Sequence, residues 1–486
     1  MSRPPRATIP PDRTVPAAGR RPPARRIIEG GLVALLILSP LPAASVNEWS
    51  VLIIELAAGL MAAAYVLLEP KPRLHAQMAP ALRWMRFAVP GFFGFLAFQI
   101  IPLPAAAVRA ISPGTYAFRE LYDPGFAGAK FMSLSVAPAK TFQAGLEILA
   151  YFILGFLVIR TVTKSSQIRT LLYFVVGSGV FQSLYGLYEL TTSRPRTLFY
   201  PKAFSLDSVT GTFVNRSHLS GYLEMIVPLA VGLLIARMNL LSFGAKGLRE
   251  KFLLMMSKGA AGNAAIAAGI VVMSLAIVLS NSRAGLVVLV FSFFLFTGLS
   301  VLAFGRAGYR ELWTRTIVRA TVLVVLAMAL YIGIGSTIQR FALDNLLHED
   351  RPLYWSNVLG VVRDFPVFGT GLGTFAAAYP AYEKKGGPEM LLTHAHNDYL
   401  EYLSELGIVG TVLLFGGVLV LAVRAFLAWR ERRNPELKGL ALGGIVALAG
   451  MGIHTLTDFN LHIPANLVLF TFVLSLTFVT AYHKKS

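Results

Sequence analysis

The stretch 393–411, THAHNDYLEYLSELGIVGT, places two histidines, an aspartate and two glutamates just ahead of an apolar run. A helix starting near His394 would put His394, Asp398, Glu401 and Glu405 on one face and His396, Leu400, Leu403 and Gly407 on the other. His396 then points with the apolar side, where a polar group is costly without a partner. The other acids and His394 read as the solvated or supporting face, and Gly407 and Gly410 would let the helix pack closely on a neighbour. Two chemistries suit such a cluster. An imidazole can take a proton from a hydroxyl. A metal could instead sit on His394, His396 and Asp398, which alternate as in binuclear metallohydrolases. That pattern normally carries a further histidine directly after the aspartate, where Tyr399 stands. A helix would also part the two histidines, so no metal ligand is assigned.

Cationic side chains recur at similar positions. Arg216 and His218 lie in GTFVNRSHLSGYLEM, Arg283 in LSNSRAGLVV, Arg351 in HEDRPLYW and Lys140 in APAKTF. Arg216, Arg283 and Lys140 stand beside apolar runs and Arg351 lies in the long outer loop, and each alone could simply snorkel to an interface. Together they suggest an anion site. Guanidinium forks donate paired hydrogen bonds to phosphate and stay charged, and free N–H groups at a helix start favour an anion. HTLTDFNLHIPAN adds His454, Asp458, Asn460 and His462, with Asp458 expected to support the site.

The elements that must position these residues are membrane helices. The 486-residue chain is 55% hydrophobic and only 14% charged, against roughly a quarter charged in soluble domains. Apolar runs near 27–46, 49–68, 87–108, 144–163, 168–190, 219–237, 263–282, 284–303, 317–335, 406–429, 440–458 and 464–482 are each long enough to cross a bilayer. The expected fold is an all-α polytopic membrane protein of about 12 transmembrane helices, with a large outer loop carrying short amphipathic helices. Barrel-type alternation is absent. Residues 1–26, rich in proline and arginine, read as a disordered basic cytoplasmic tail. Helices 1–9 occupy 27–335, the loop 336–398, and helices 10–12 the rest to 486. LPAAS after the first run resembles a cleavage region, but the long basic segment before it favours an uncleaved first span.

Net charge is +19, from 44 basic and 25 acidic residues. With the N-terminus inside, basic residues crowd the inner connections, among them Arg83, Arg86, Lys164, Arg430, Arg432, Arg433 and Lys438. Arg109, Arg119, Lys130 and Lys140 on an outer loop are mild exceptions. No basic patch is interleaved with aromatics, which argues against nucleic acid. The absence of cysteine excludes disulfides, thiolate metal sites and cysteine nucleophiles. No internal repeat of the kind common in secondary transporters is visible.

Five segments in order resemble the O-antigen ligase and polysaccharide polymerase superfamily. His396-Asn397, nine residues, then Gly407-Ile408-Val409-Gly410-Thr411 fit its pattern H-[NSQ]-x9-G-x2-G-[GTY]. GTFVNRSHLSGYLEM, SNSRAG, GTGLGTF and HTLTDFNLHIPAN are also similar to its segments, so the likeness spans about residues 140–480. The resemblance implies a glycosyltransferase of the bacterial inner membrane with its site facing the periplasm. Its donor would be a glycan on undecaprenyl diphosphate, its acceptor lipid A-core or another lipid-linked glycan, with no metal and no other cofactor. It further implies His396 as the essential histidine and Arg216 and Arg283 as diphosphate ligands. Arg351 and Lys140 join them as candidate ligands, with Asn397, His218 and Asp458 in support. An acceptor hydroxyl attacking the anomeric carbon in line, with His396 taking its proton, would invert that centre. The sequence leaves ligase and polymerase equally open. The alternative from another class is a transporter or flippase of lipid-linked glycans.

Overall fold

The computed structural model describes residues 23–69, 78–126, 128–192, 196–202, 205–242, 259–304, 351–383 and 392–483. Its long helices are numbered here in chain order: α1 Pro23–Leu38, α2 Glu48–Leu68, α3 Met85–Ile100, α4 Pro138–Thr161, α5 Ser165–Thr192, α6 Arg216–Ser242, α7 Ala260–Leu279, α8 Arg283–Phe304, α9 Arg351–Asp364, α10 Asp398–Glu431, α11 Pro435–His454 and α12 Pro464–Tyr482. Long apolar runs become helices because a chain in hydrocarbon must satisfy its backbone groups within the segment. Pro138, Pro435 and Pro464 each stand in the first turn, where the missing N–H costs nothing.

Among the described residues, nine helices are long and apolar enough to cross a membrane: α2, α4–α8 and α10–α12. α1 and α3, at 16 residues each, are shorter than the spans expected over 27–46 and 87–108. The run 317–335, residues 336–350 and 384–391 of the expected loop, and residues 1–22 of the expected tail lie outside the described residues. α1 begins inside that tail, and Arg25 pairs with Glu69 at 2.8 Å, which ties the start of α1 to the end of α2.

α6 lies at the centre, against α5, α7, α8 and α11. Its approach to α11 is backbone to backbone. A Cβ on Gly232 would lie 2.6 Å from the Gly439 carbonyl oxygen, and one on Gly443 would lie 2.5 Å from that of Pro228. Small residues permit such contact where lipid supplies no hydrophobic drive between helices. The described part of the expected outer loop is helical. α9, Phe375–Ala378 and the turn Tyr379–Tyr382 cover the start of α10. On the same side, the helices Ala105–Ile111 and Pro113–Tyr122 form a ledge with the short antiparallel pair Leu103–Pro104 and Phe131–Met132. Arg119 is bound within that ledge, to Ser135 O at 2.6 Å and Ser133 Oγ at 3.1 Å. Arg109 lies over the Tyr116 ring. These two exceptions to the charge bias thus serve local structure.

α10 is broken once. Gly407 has φ 59° and ψ −172°, a conformation essentially restricted to glycine. The break turns the carbonyls before it outward, and the segment Pro366–Gly371 takes them. Thr370 N–H donates to Ser404 O at 2.9 Å and Gly371 N–H to Glu405 O at 2.8 Å. Ile408 N–H donates back to Pro366 O at 2.9 Å. Gln99 from α3 donates to Phe368 O at 2.7 Å and to Glu405 O at 3.1 Å. Gly407 therefore packs on the GTGLGTF segment rather than on a helix. Gly410 does meet a helix, because a Cβ there would lie 2.5 Å from a ring carbon of Phe95 on α3.

Candidate active site

Three helix starts and one helix end converge at one end of the bundle. Asn215 accepts from Ser217 N–H at 2.8 Å, Ser282 from Gly285 N–H at 3.1 Å, and Asn397 from Leu400 N–H at 3.1 Å. Asparagine and serine are strong N-caps because the side-chain oxygen takes an otherwise unpaired N–H. Arg216, Arg283 and Asp398 then open α6, α8 and α10. The first turns of α6 and α8 touch, with Ser217 Oγ 3.1 Å from Ser282 Oγ and Ser220 Oγ 2.8 Å from Ser280 Oγ. Two arginines thus sit at adjacent positive helix ends, an arrangement that suits an anion. Arg216 Nη1 also donates to Ser208 Oγ at 3.5 Å.

The expected helix start near His394 is not what the structure shows. THAHN is extended and turned, and α10 begins only at Asp398 with Asn397 as its cap. His396 adopts φ 50°, a left-handed conformation uncommon for a non-glycine residue. The two histidines are therefore not separated by helical geometry. His394 stacks on Phe459 with centroids 4.3 Å apart, and His396 meets the same ring edge-on at 4.9 Å.

Of the two readings of Asp398, Glu401 and Glu405, as a solvated or a supporting face, the solvated one is corrected. They do share a face of α10, but all three are buried. That face turns inward because the loop 455–463 and the α9 region close over it. Asp398 accepts from His462 Nδ1 at 2.6 Å and from Leu461 N–H at 2.9 Å. Glu401 meets His394 Nδ1 at 2.8 Å and accepts from Ala395 N–H at 2.7 Å. Glu405 accepts from Phe375 N–H at 2.8 Å.

Asp458 is the hub. Its Oδ1 lies 3.5 Å from His396 Nδ1 and 3.6 Å from His218 Nε2. Burial alone would push this carboxyl up, but His218 and His396, with a contribution from His454, hold it well below the usual carboxylate range. His462 is affected in the opposite sense. Burial disfavours its charged form, yet Glu401, Asp398 and Glu405 hold it up at about 10. Glu224 and His454, both fully buried, pair at 2.8 Å, deeper along α6 than His218.

The structure thus brings His396, His218, Asp458 and Asn397 together. Arg216 reaches them through the first turn of α6, and Arg283 through the serine contacts of α8. Arg351 opens α9, and one turn later Trp355 Nε1 donates to the carbonyl of Ala395, between the two histidines, at 3.1 Å. Lys140 stands apart. Its side chain is exposed, and only its backbone nears the site loop, beside Gly373. No described contact joins it to His396, Asp458 or the arginines.

Sequence reasoning missed Glu224, Lys202 and Glu189. Lys202 pairs with Glu189 at 3.3 Å in a buried position. A glutamate within an apolar run, as in SGYLEMIVPLA, is the signal that could have marked Glu224. Beside the cluster, an apolar cavity of about 510 Å³ runs between α10, α11 and α12, with Tyr399, Tyr402, Thr455 and Leu461 at its upper end.

Comparison with known proteins gives a family match over part of the chain. Residues 268–415 match the family described as O-Antigen ligase. The match runs from within α7 past the break in α10, and it includes Arg283, Arg351, His396 and Asn397. Arg216, His218 and Asp458 lie outside it and join those residues through contacts. No curated protein matches the chain. The matched part, residues 268–415, is thus similar to the O-antigen ligase family, and it is set among helices long and apolar enough to cross a membrane.

Proposed function

We propose that the protein transfers a glycan from undecaprenyl diphosphate to an acceptor hydroxyl, at the periplasmic face of a bacterial inner membrane. The observation that carries this reading is the placement of a partly exposed histidine on a buried carboxylate beside two arginine-bearing helix starts. His396 is 27% exposed with Nδ1 facing Asp458. Asp458 favours the Nδ1–H form, which leaves Nε2 to accept a proton from the attacking hydroxyl. Arg216 and Arg283, with the N–H groups of α6 and α8, stabilise the charge that develops on the departing diphosphate. Arg351 approaches from α9 and can hold the same donor. Lys140 contributes at most at the rim.

The polyprenyl tail of such a donor needs an apolar surface continuous with the bilayer. The cavity between α10, α11 and α12 offers one, and its upper end touches the residues that hold the cluster. The charge distribution supports this facing of the site. Arg25, Arg160, Arg169, Arg237 and Arg430 stand at the opposite ends of their helices, the end that positive residues mark as cytoplasmic. In-line attack on the anomeric carbon gives inversion. The acceptor is lipid A-core for a ligase and a second lipid-linked glycan for a polymerase.

The test uses the purified full chain in lipid nanodiscs with lipid-linked donor and acceptor, without ATP. Transfer by the wild type and its loss in a folded His396→Ala variant support the reading. Wild-type transfer in that variant refutes His396 as the base. Movement of the donor across the bilayer without transfer would favour the flippase. A deletion strain separates the two transferases, since a ligase mutant accumulates full-length lipid-linked polymer and a polymerase mutant leaves single repeat units.

A further inference from the structure

A second cluster begins at His394, which stacks on the Phe459 ring that His396 meets edge-on, and glycosyl transfer makes no use of it. His394, Glu401 and His462 each offer one ligand atom, and these atoms all lie within 4.8 Å of one another. Two of the three, His462 and Glu401, are oriented by their other polar atom. His462 donates its Nδ1–H to Asp398 at 2.6 Å, so Nε2 is the ring nitrogen open to the ion, which would displace the proton that the carboxylates hold there. That Nε2 is buried and makes no hydrogen bond. Glu401 uses Oε2 for the Ala395 N–H, which leaves Oε1 facing both histidines. A carboxylate behind a ligating imidazole is the usual outer support of a metal-bound histidine.

The distances suit a small cation. Ligands about 2.1 Å from a tetrahedral zinc lie about 3.4 Å from each other. His462 Nε2 is 3.4 Å from Glu401 Oε1. His394 Nδ1, at 2.8 Å, is at hydrogen-bond distance instead, so the ring must withdraw by roughly 0.6 Å to admit the ion. It has room, being 31% exposed. Two imidazole nitrogens and one carboxylate oxygen favour zinc over magnesium or calcium, which prefer all-oxygen shells. The charge balance agrees, because the described ion-pair partners of Asp398 and Glu401 are histidines alone.

We propose that His394, Glu401 and His462 form a zinc-binding site, with Asp398 as its outer support and a fourth position open to solvent. The ion would join the THAHN segment to the loop before α12 and so hold the backbone that carries His396. It takes no part in the transfer step, and its test does not depend on activity.

Full-length protein in nanodiscs, stripped with chelator, is titrated with Zn²⁺ alone and assayed by calorimetry and by metal content after gel filtration. Co²⁺ serves as a spectroscopic probe of tetrahedral geometry. One ion per chain at micromolar affinity or tighter is expected. His394→Ala, at a partly exposed position, should weaken binding at least 10-fold while the protein stays folded. Asp398→Asn should weaken it ~10–100-fold. His483→Gln, at the opposite end of the bundle, should change nothing. No retained ion in the wild type, or equal binding by wild type and His394→Ala, overturns the proposal.

Discussion

His396 Nδ1 lies 3.5 Å from Asp458 Oδ1, although the two residues are separated in sequence by the whole of α10 and α11. Asp458 sits in the loop before α12, and the same oxygen faces His218 at the start of α6. One buried carboxylate thus faces two imidazoles from different parts of the chain. If Asp458 acts by positioning, Asp458→Asn should lower kcat by ~10–100-fold, in the range of general-base effects, and leave donor KM nearly unchanged. His396→Ala should lower it by ~100-fold or more. Steady-state kinetics on purified variants checks both, and a wild-type kcat for Asp458→Asn would remove the positioning role.

Arg216 and Arg283 open adjacent helices whose first turns touch. Either Arg→Ala change should weaken donor use, with an expected loss of ~10-fold or more for a charge-assisted contact of about 1.5–3 kcal/mol. Arg→Lys should lose less, since charge survives and the fork does not. If both side chains act on one diphosphate, as proposed, the double variant should depart from additivity. Additive losses in a double-mutant cycle would place the two arginines on separate groups.

Trp355 holds the carbonyl of Ala395, next to His396, by one hydrogen bond of 3.1 Å. Trp355→Phe deletes that donor, at a cost of about 1 kcal/mol. The expected result is a several-fold fall in kcat with donor KM unchanged. A larger effect on KM than on kcat would show that α9 binds substrate instead.

Gly407 combines a positive φ with a backbone approach that leaves no space for a Cβ, which would lie 2.3 Å from the Val367 carbonyl oxygen. Gly407→Ala should destabilise the protein by about 1–3 kcal/mol from backbone strain alone, with the clash in addition. Gly416→Ala on the same helix meets nothing closer than 3.9 Å and should be neutral. Thermal melting of both variants in detergent makes the comparison. Equal melting temperatures would mean that the break in α10 is not required.

The Asp458 carboxyl is held below its usual range by His218 of α6 and His396 of the THAHN segment, with His454 of α11 nearby and Glu224 of α6 acting in the opposite sense. A depressed folded-state pKa contributes stability that is present above the unfolded value of about 3.9 and lost as pH falls toward the folded value. Melting temperature should therefore decline below pH ~4. Asp458→Asn should flatten that acid limb. An unchanged limb in the variant would assign it to other carboxylates.

The sequence by itself determined the helical, span-rich class of the protein and named most of the residues that the structure gathers at the candidate site. Apolar runs of span length can satisfy their backbone only as helices, so the helical assignment needs no tertiary information. Cap residues directly before Arg216 and Arg283 fix those arginines at helix starts by local hydrogen bonding alone. His396 and Asn397 were legible from a short motif. The start of α10 was misplaced because THAHN has apparent helical spacing, while the structure holds it open through Trp355, Glu401 and the left-handed His396. The acids of α10 read as solvated because a one-dimensional pattern shows which residues share a face, not what covers it. Asp398, Glu401 and Glu405 are buried by loops distant in sequence. The pairing of His396 with Asp458, and of His462 with Asp398, depends on the packing of α10, α11 and α12. That packing brings together groups that no local rule relates, and only the tertiary structure decided it.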